Sequence, residues 1–151
     1  MSLLNNKRIR IRVAGILIEN GNVLMVCHQK NGKSYWLLPG GGVDYGETLP
    51  QALRREFEEE IGIKVEVHDL LFSIDSISPS GKRHIVNLVF ICKYSSGVYR
   101  LGLDKRLSDF KFLSIEELSN ATVYPSLKKQ LIDYVAGEIG QKIYLGSHWN
   151  K

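Results

Sequence analysis

Only two cysteines, four prolines and no apolar stretch of bilayer length occur in the 151 residues, and each scarcity excludes a class. The apolar run near the start, Val13 to Ile18, is far shorter than the ~20 residues of a membrane helix, and no signal-peptide pattern precedes it. A cytoplasmic protein without membrane contact is the expectation. Cys27 and Cys92 lie in apolar, strand-like sequence, which favours two reduced, buried thiols over a disulfide or a metal pair. Internal repeats, low-complexity segments and signs of a second domain are absent. No dense Lys/Arg cluster is interleaved with aromatics, which argues against a nucleic-acid partner.

What is present is an ordinary core composition and an uneven charge. With 44% apolar residues the chain can bury a real core as one domain without staples. The formal charge is +4, yet Glu47 to Glu60 holds five Glu against two Arg, leaving +7 on the remainder. An acidic patch inside a basic shell fits an anionic substrate that arrives with its own cation, although mild basicity also serves solubility alone.

The acidic stretch reads as a helix. Thr48 precedes Pro50, a residue suited to a first helical turn because its missing N–H was unpartnered there anyway. Leu49, Leu53, Phe57 and Ile61 recur every four residues as one apolar stripe, and Gly62 supplies a left-handed stop. At ~100° per residue from Leu53, Glu60 falls at about −20°, Glu56 at about −60° and Glu59 at about −120°. Three carboxylates therefore sit on or beside the core-facing stripe, while Glu58, at about 140°, points to solvent. A Glu run is ordinarily a solvated face. That reading fails for Glu56 and Glu60, because unpaired buried carboxylates are costly and like charges at i, i+4 repel. Arg55 lies on the far side of the wheel, where it is expected to neutralise only one of them. Clustered hard oxygen ligands suit Mg²⁺ or Mn²⁺, which leave positions open for water and phosphate.

Around this helix the chain reads as strands. Alternation from Arg8 through Ile9, Ile11 and Val13, with Arg between them, leads into a strand to Ile18; Glu19 to Asn22 turns it, and Val23 to Cys27 returns as a hairpin. Asn31 to Lys33 turns again before Tyr35 to Leu38, and Pro39-Gly40-Gly41-Gly42 reads as a glycine turn that lets backbone approach a ligand. Lys64 to Phe72 alternates as a strand, Ser73 to Lys82 reads as a loop, and Arg83 to Tyr94 is the most β-prone run and a natural central strand. Phe110 to Leu113 is a further strand, and Ser114 with Glu117 signals a capped short helix. A helix over Ser126 to Glu138 would bury Leu127, Leu131, Tyr134 and Val135, and Lys142 to Leu145 reads as an edge strand. The expected division is a flexible terminus at 1–8, one domain at 9–145 and a tail at 146–151. Strands and helices in this order give a mixed α+β class with helices covering a sheet.

A glycine at Gly41, Glu47 six places on, and Arg55-Glu56-Phe57-Glu58-Glu59-Glu60-Ile61-Gly62-Ile63 after seven more residues resemble the Nudix box of the Nudix hydrolases. All fixed and apolar positions agree, and chance agreement at one start point is on the order of 10⁻⁹ at roughly 7% per fixed residue. The resemblance implies the Nudix fold, an α/β/α sandwich with a mixed β-sheet between helices. It also implies a divalent-metal-dependent hydrolase of a phosphoanhydride bond in a nucleoside diphosphate-linked compound. By position, the Gly40 carbonyl, Glu56, Glu59 and Glu60 would be metal ligands. Glu56 or Glu59 would act as general base, with Arg55 orienting a glutamate and Glu47 its partner; Gly41, Glu47 and Gly62 would be structural. Arg83 is a candidate for substrate contact. The loop from Gly97 to Asp109 lies where many members place a further acid, which makes Asp104 the candidate and Asp109 the next.

The substrate stays open between nucleoside triphosphates, ADP-ribose and similar nucleotides. Pro79, sixteen residues after Ile63, is similar to the placement in the ADP-ribose pyrophosphatase branch, whereas Arg83-His84 and Phe112 to Ile115 look like the branch that cleans oxidised nucleoside triphosphates. Val123 departs from the base-reading Asn of the latter. An RNA 5′-end pyrophosphohydrolase and a non-catalytic nucleotide-sensing module are the alternatives. The intact box argues against the second. A homodimer is also open.

Overall fold

The computed structural model describes residues 7–138, 140 and 142–149. Most of the terminus expected to be loose at 1–8, and the end of the tail, lie outside them. Strand β1 (Arg10–Glu19) turns at Asn20-Gly21 into β2 (Asn22–Lys30), and β3 (Lys33–Leu37) follows. The two strands of the first hairpin stay paired only at Ile18–Val23 and Glu19–Asn22. Past that point β1 leaves β2 and runs parallel to β6 (His84–Gly97), while β2 pairs with β3 and with β7 (Leu107–Leu113). The sheet order is β3-β2-β1-β6-β5-β8, with β5 at Ile63–Ile77 and β8 at Tyr144–Ser147; β4 (Gly40–Gly42) pairs with β1.

Burial on both faces of β1 makes a sandwich. Val13 and Leu17 pack with Leu53, Phe57 and Ile61 of helix α1 (Leu49–Ile61). The alternate residues Ala14 and Ile16 pack with Leu118 of α2 (Ile115–Asn120) and with Leu127 and Leu131 beside and within α3 (Lys128–Val135). Period-two alternation thus feeds two cores from one strand. Each wholly buried side chain of this kind contributes about 1.5–3 kcal/mol. Among the described residues no helix is long and apolar enough to cross a membrane. Cys27 and Cys92 are free and buried, and burial pushes the Cys92 thiol up to about 12.

Several boundaries differ from the sequence reading, each for a physical reason. The segment expected as a loop from Ser73 is strand to Ile77, because Phe72 and Ile74 are buried and the backbone pairs as far as Ile77–His84. Only Ser78 to Arg83 turns, closed by Ser78 N–H to the Arg83 carbonyl at 2.9 Å and Arg83 N–H to Ser78 Oγ at 3.0 Å. The glycine turn is a short strand, with Gly41 opposite Val13. Helix α3 runs only from Lys128 to Val135 rather than from Ser126 to Glu138, with Leu127 in non-helical backbone (φ −106°, ψ 6°) before it and Gly137 at φ 80° turning the chain after it, and β8 passes the expected boundary at 145 to reach Ser147 opposite Asp75.

Gly15 on β1 is where the strand lies closest to the α1 side of the core. A Cβ there would lie 2.6 Å from Phe57 Cε2 and 2.7 Å from Cys92 Sγ. Gly15→Ala should therefore destabilise by about 1–3 kcal/mol through overpacking, read as a lowered denaturation midpoint. Unchanged stability would show that Phe57 has room to move.

Candidate active site

Helix α1 is fixed at both ends by its own sequence. Thr48 Oγ1 accepts from Gln51 N–H while Gln51 Oε1 accepts from Thr48 N–H, a reciprocal cap, and Gly62 adopts φ 73° with its N–H on the Glu58 carbonyl. The rotation of the helix about its axis then follows from burial of Leu53, Phe57 and Ile61. Its third face carries the glutamates to the β4 strand.

Glu60 is only 7% exposed, and the Gly40 N–H donates to its Oε1 at 2.7 Å. Burial pushes its carboxyl up to about 8, against the pull of the Gly40 N–H and the nearby Arg12. Glu56 is also raised, first by burial, with Arg55 opposing. Its carboxylate lies against Gly41, where a Cβ would come within 2.4 Å of the carboxyl carbon, so any side chain there would push the Glu56 carboxylate aside. Glu59 is the exposed member, with 59% of its side chain accessible, and Glu58 is solvated as its wheel position predicts.

Arg55 does more than the wheel suggests. Its Nε and Nη2 grip Glu47 at 2.8 Å each, its Nη1 donates to Glu56 at 2.9 Å and to Glu59 at 3.3 Å, and its Nη2 also reaches the Gly42 carbonyl at 3.0 Å. The expectation that it neutralises one carboxylate is corrected. A long side chain on the rim of the helix folds back over its own turn, and the planar fork serves several acceptors at once. The Arg55 bonds, then the Asp44 N–H, hold the Glu47 carboxyl at about 2, and the same pair raises Arg55.

Glu56, Glu59, Glu60, Gly40 and Asp104 come together in one cleft of about 870 Å³, while Gly41 and Gly62 line it. Asp104 is held at about 2 by Arg106, which donates from Nη2 at 3.0 Å and from its backbone N–H at 2.9 Å. Arg83 is exposed at the β5–β6 turn and does not line the cleft. Arg10, Arg12, His28, Tyr35, Arg100 and Arg106 do line it and were missed. The one local signal was the Arg10–Arg12 spacing, which puts both on one face of β1. The remaining four gather only through long-range pairing.

These residues fit a divalent cation. Among the described residues no three acidic or imidazole groups already converge as a ligand cage, because the glutamate oxygens are bonded to Arg55 and to the Gly40 N–H. A buried carboxyl held up near 8 beside a second raised one is nevertheless short of positive charge, and hard oxygen donors on one helix face are the ligands Mg²⁺ or Mn²⁺ takes.

Comparison with known proteins places the chain in a family. The chain is 32% identical over 101 residues to an ADP-ribose pyrophosphatase from Methanocaldococcus jannaschii, covering 66% of this chain and 60% of that one. It is 41% identical over 91 residues to a MutT-like protein from Streptomyces ambofaciens, covering 60% and 55%. The chain thus spans somewhat over half the length of these relatives. A NUDIX hydrolase from Nitrosomonas europaea superposes with a TM-score of 0.77 at 23% identity, over 87% of this chain and 92% of that one, and shares the fold. A family model, the NUDIX domain, matches residues 9–134, and the chain belongs to that family.

Proposed function

We propose that this chain hydrolyses a phosphoanhydride bond in a nucleoside diphosphate-linked compound, a nucleoside triphosphate, ADP-ribose or a similar nucleotide, in a divalent-metal-dependent reaction. The observation that carries the reading is the buried carboxyl of Glu60, with the half-buried Glu56 and exposed Glu59 on the same helix face beside the Arg55–Glu47 clamp, in a cleft lined by arginines. The names of the relatives, one an ADP-ribose pyrophosphatase and one MutT-like, support the same substrate range.

Glu56, Glu59 and Glu60, with the Gly40 carbonyl, would hold Mg²⁺ or Mn²⁺, which when bound neutralises phosphate oxygens and makes water a better acid. The protein's own residues do the rest. Arg55 fixes the rotamers of Glu56 and Glu59 by charge-assisted bonds, and Glu47 fixes Arg55 in turn. Glu56 or Glu59 accepts the proton of the attacking water. Glu59 has the access, and Glu56 has the raised basicity. Arginines on the cleft walls draw in and orient the anionic substrate.

Release of phosphate or nucleoside monophosphate from a panel of nucleoside triphosphates, ADP-ribose, nucleotide sugars and dinucleoside polyphosphates with Mg²⁺ or Mn²⁺ tests the proposal. Glu59→Gln should lower kcat by ~100-fold or more with the fold intact, and EDTA should abolish turnover reversibly. Full activity in either case would overturn the assignment.

Glu60 gives a second test in protein stripped with chelator. Its folded value, about 8, exceeds the usual 4.5, so between these values the folded state holds a proton that the unfolded state has released. Stability from this group is thus present at low pH and lost as pH rises toward about 8. Glu60→Gln should flatten that decline in unfolding free energy between about pH 5 and about pH 8.5. Parallel wild-type and variant curves would contradict the buried-proton account.

A further inference from the structure

One wall of the cleft is a loop, residues 98–106 between β6 and β7, which contributes Arg100, Leu101, Leu103, Asp104 and Arg106. Its far end is tied to the sheet, where Gln29 N–H donates to the Arg106 carbonyl at 3.0 Å. Its near end is tied to α1. The last carbonyls of a helix have no partner within it. Here the Glu58 carbonyl takes the Gly62 N–H, the Ile61 carbonyl takes the Arg100 N–H at 3.0 Å, and the Glu60 carbonyl takes the Gly102 N–H at 2.8 Å. The loop thus supplies donors that the helix end lacks, and the Arg100 side chain brings a cation against Gly62 at the negative end of the helix.

Gly102 is the residue that permits this seat. A Cβ on it would overlap the Glu59 carbonyl oxygen and lie 3.0 Å from the Glu59 carbonyl carbon. Those are backbone atoms of a helix capped at both ends, which cannot swing aside as a side-chain tip does. The backbone of Gly102 lies outside the left-handed region, so its dihedral angles do not call for glycine and only the close approach does. Gly21 and Gly32 are the opposite case, with φ of 75° and 74° and nothing within 4 Å of an added Cβ.

The plain alternative is that the loop would find the same place without this contact. Tyr99 holds the start of the loop by packing on Phe110 and Phe112, but beyond it Leu101 and Leu103 are exposed, Leu103 almost entirely. Asp104 is bonded to Arg106 of the same loop, and among the described residues no side-chain hydrogen bond or ion pair joins the loop to α1. The near end of the wall therefore rests on two backbone bonds, and a side chain at 102 breaks into them.

We propose that Gly102 is a positioning residue: its bare backbone seats the loop on the carbonyls of Glu60 and Ile61, and so sets the distance between the wall that carries Asp104 and Arg106 and the helix that carries Glu59 and Glu60. The two sides of the cleft then move as one body, and a substrate that touches both meets them at a fixed separation. As an effect on turnover this rests on the hydrolase reading; as docking of loop on helix it stands on the bonds themselves.

The protein and its Gly102→Ala variant are compared by hydrogen exchange, by Mn²⁺ titration followed with electron paramagnetic resonance, and by kinetics with Mg²⁺ on whichever nucleotide is turned over. In wild type the amides of Arg100 and Gly102 should be protected; fast exchange of both there overturns the proposal. In the variant the amides at 100 and 102 should exchange ~10-fold faster or more, while the Phe57 amide inside α1 keeps its protection. KM should rise ~10-fold or more, with Mn²⁺ affinity in the absence of nucleotide unchanged because the glutamates stay on the helix. A variant that had merely lost folded protein would show a lower apparent kcat at unaltered KM, and that result overturns the positioning role. So does a loss of Mn²⁺ affinity as large as the rise in KM, which would place the effect in the helix. If circular dichroism shows that Gly102→Ala does not fold, insertion of one glycine between Leu103 and Asp104 decides, since it keeps the seat and lengthens the wall. Protected amides at 100 and 102 with a raised KM are expected of it, and an unaltered KM overturns the proposal. Absence of turnover on every nucleotide would remove the hydrolase reading, and the exchange comparison then decides the docking: amides freed in Gly102→Ala support it, and amides as protected as in wild type overturn it.

Discussion

Placing carboxylates on the buried face of a helix is the constraint that the rest of this molecule answers. Glu60 is almost wholly covered, with a single backbone N–H bonded to one oxygen, and Glu56 is pressed onto a glycine. Left alone, such groups cost several kcal/mol as anions and would be expected to protonate or to break the helix. Apolar anchoring by Leu53, Phe57 and Ile61, a reciprocal cap at Thr48 and a left-handed stop at Gly62 keep the helix in place against that cost. The cost is electrostatic rather than conformational, since the helix keeps regular backbone between its two caps.

Arg55 shows how the fold orients groups it does not bury. Its fork joins Glu47, before the helix, to Glu56 and Glu59 within it, and also reaches the carbonyl of Gly42 on β4. Strand, turn and helix are therefore tied through one guanidinium. The tie matters most for Glu59, which is exposed and would otherwise sample many rotamers. Ordering one side chain by another already ordered is how a surface residue acquires a fixed direction.

The parts of this arrangement readable in the sequence are those whose cause is local. The four-residue stripe, Pro50 and Gly62 lie within one helix, and they placed its ends within a residue of where they fall. Ser114 and Glu117 announced the short helix by the same local chemistry. Errors came where a distant partner decides. Phe72 and Ile74 extend a strand into a segment whose Ser and Asp read as loop, because β6 is there to pair with it. Glycines 40 to 42 become a strand because β1 offers an edge. Arg83 precedes the central strand, yet its turn lies outside the cleft, whereas Arg106 and His28 reach the cleft beside a bulge no local pattern shows. Arg55 was misjudged for a different reason, since a helical wheel gives the direction of Cβ and not the reach of a guanidinium.

The distribution of charge gives the cleft its direction. Apart from Asp104, which Arg106 holds, the acidic groups come from one helix, whereas Arg10 and Arg12 come from the strand beneath it and Arg100 and Arg106 from the loop that closes the other side. A protein surface that mixed these signs evenly would satisfy itself with internal ion pairs and present little field. Here the internal pairing in the cleft is concentrated on Arg55 and on the Asp104–Arg106 contact, which leaves Glu60 without an ion pair among the described residues. A chain of phosphates with a divalent cation bound along it has the complementary arrangement, negative oxygens beside a compact positive charge. Under the proposed reading, the cleft is matched to the charged pair of substrate and cation more closely than to either alone, its glutamates on one helix and its arginines on a strand and a loop facing it.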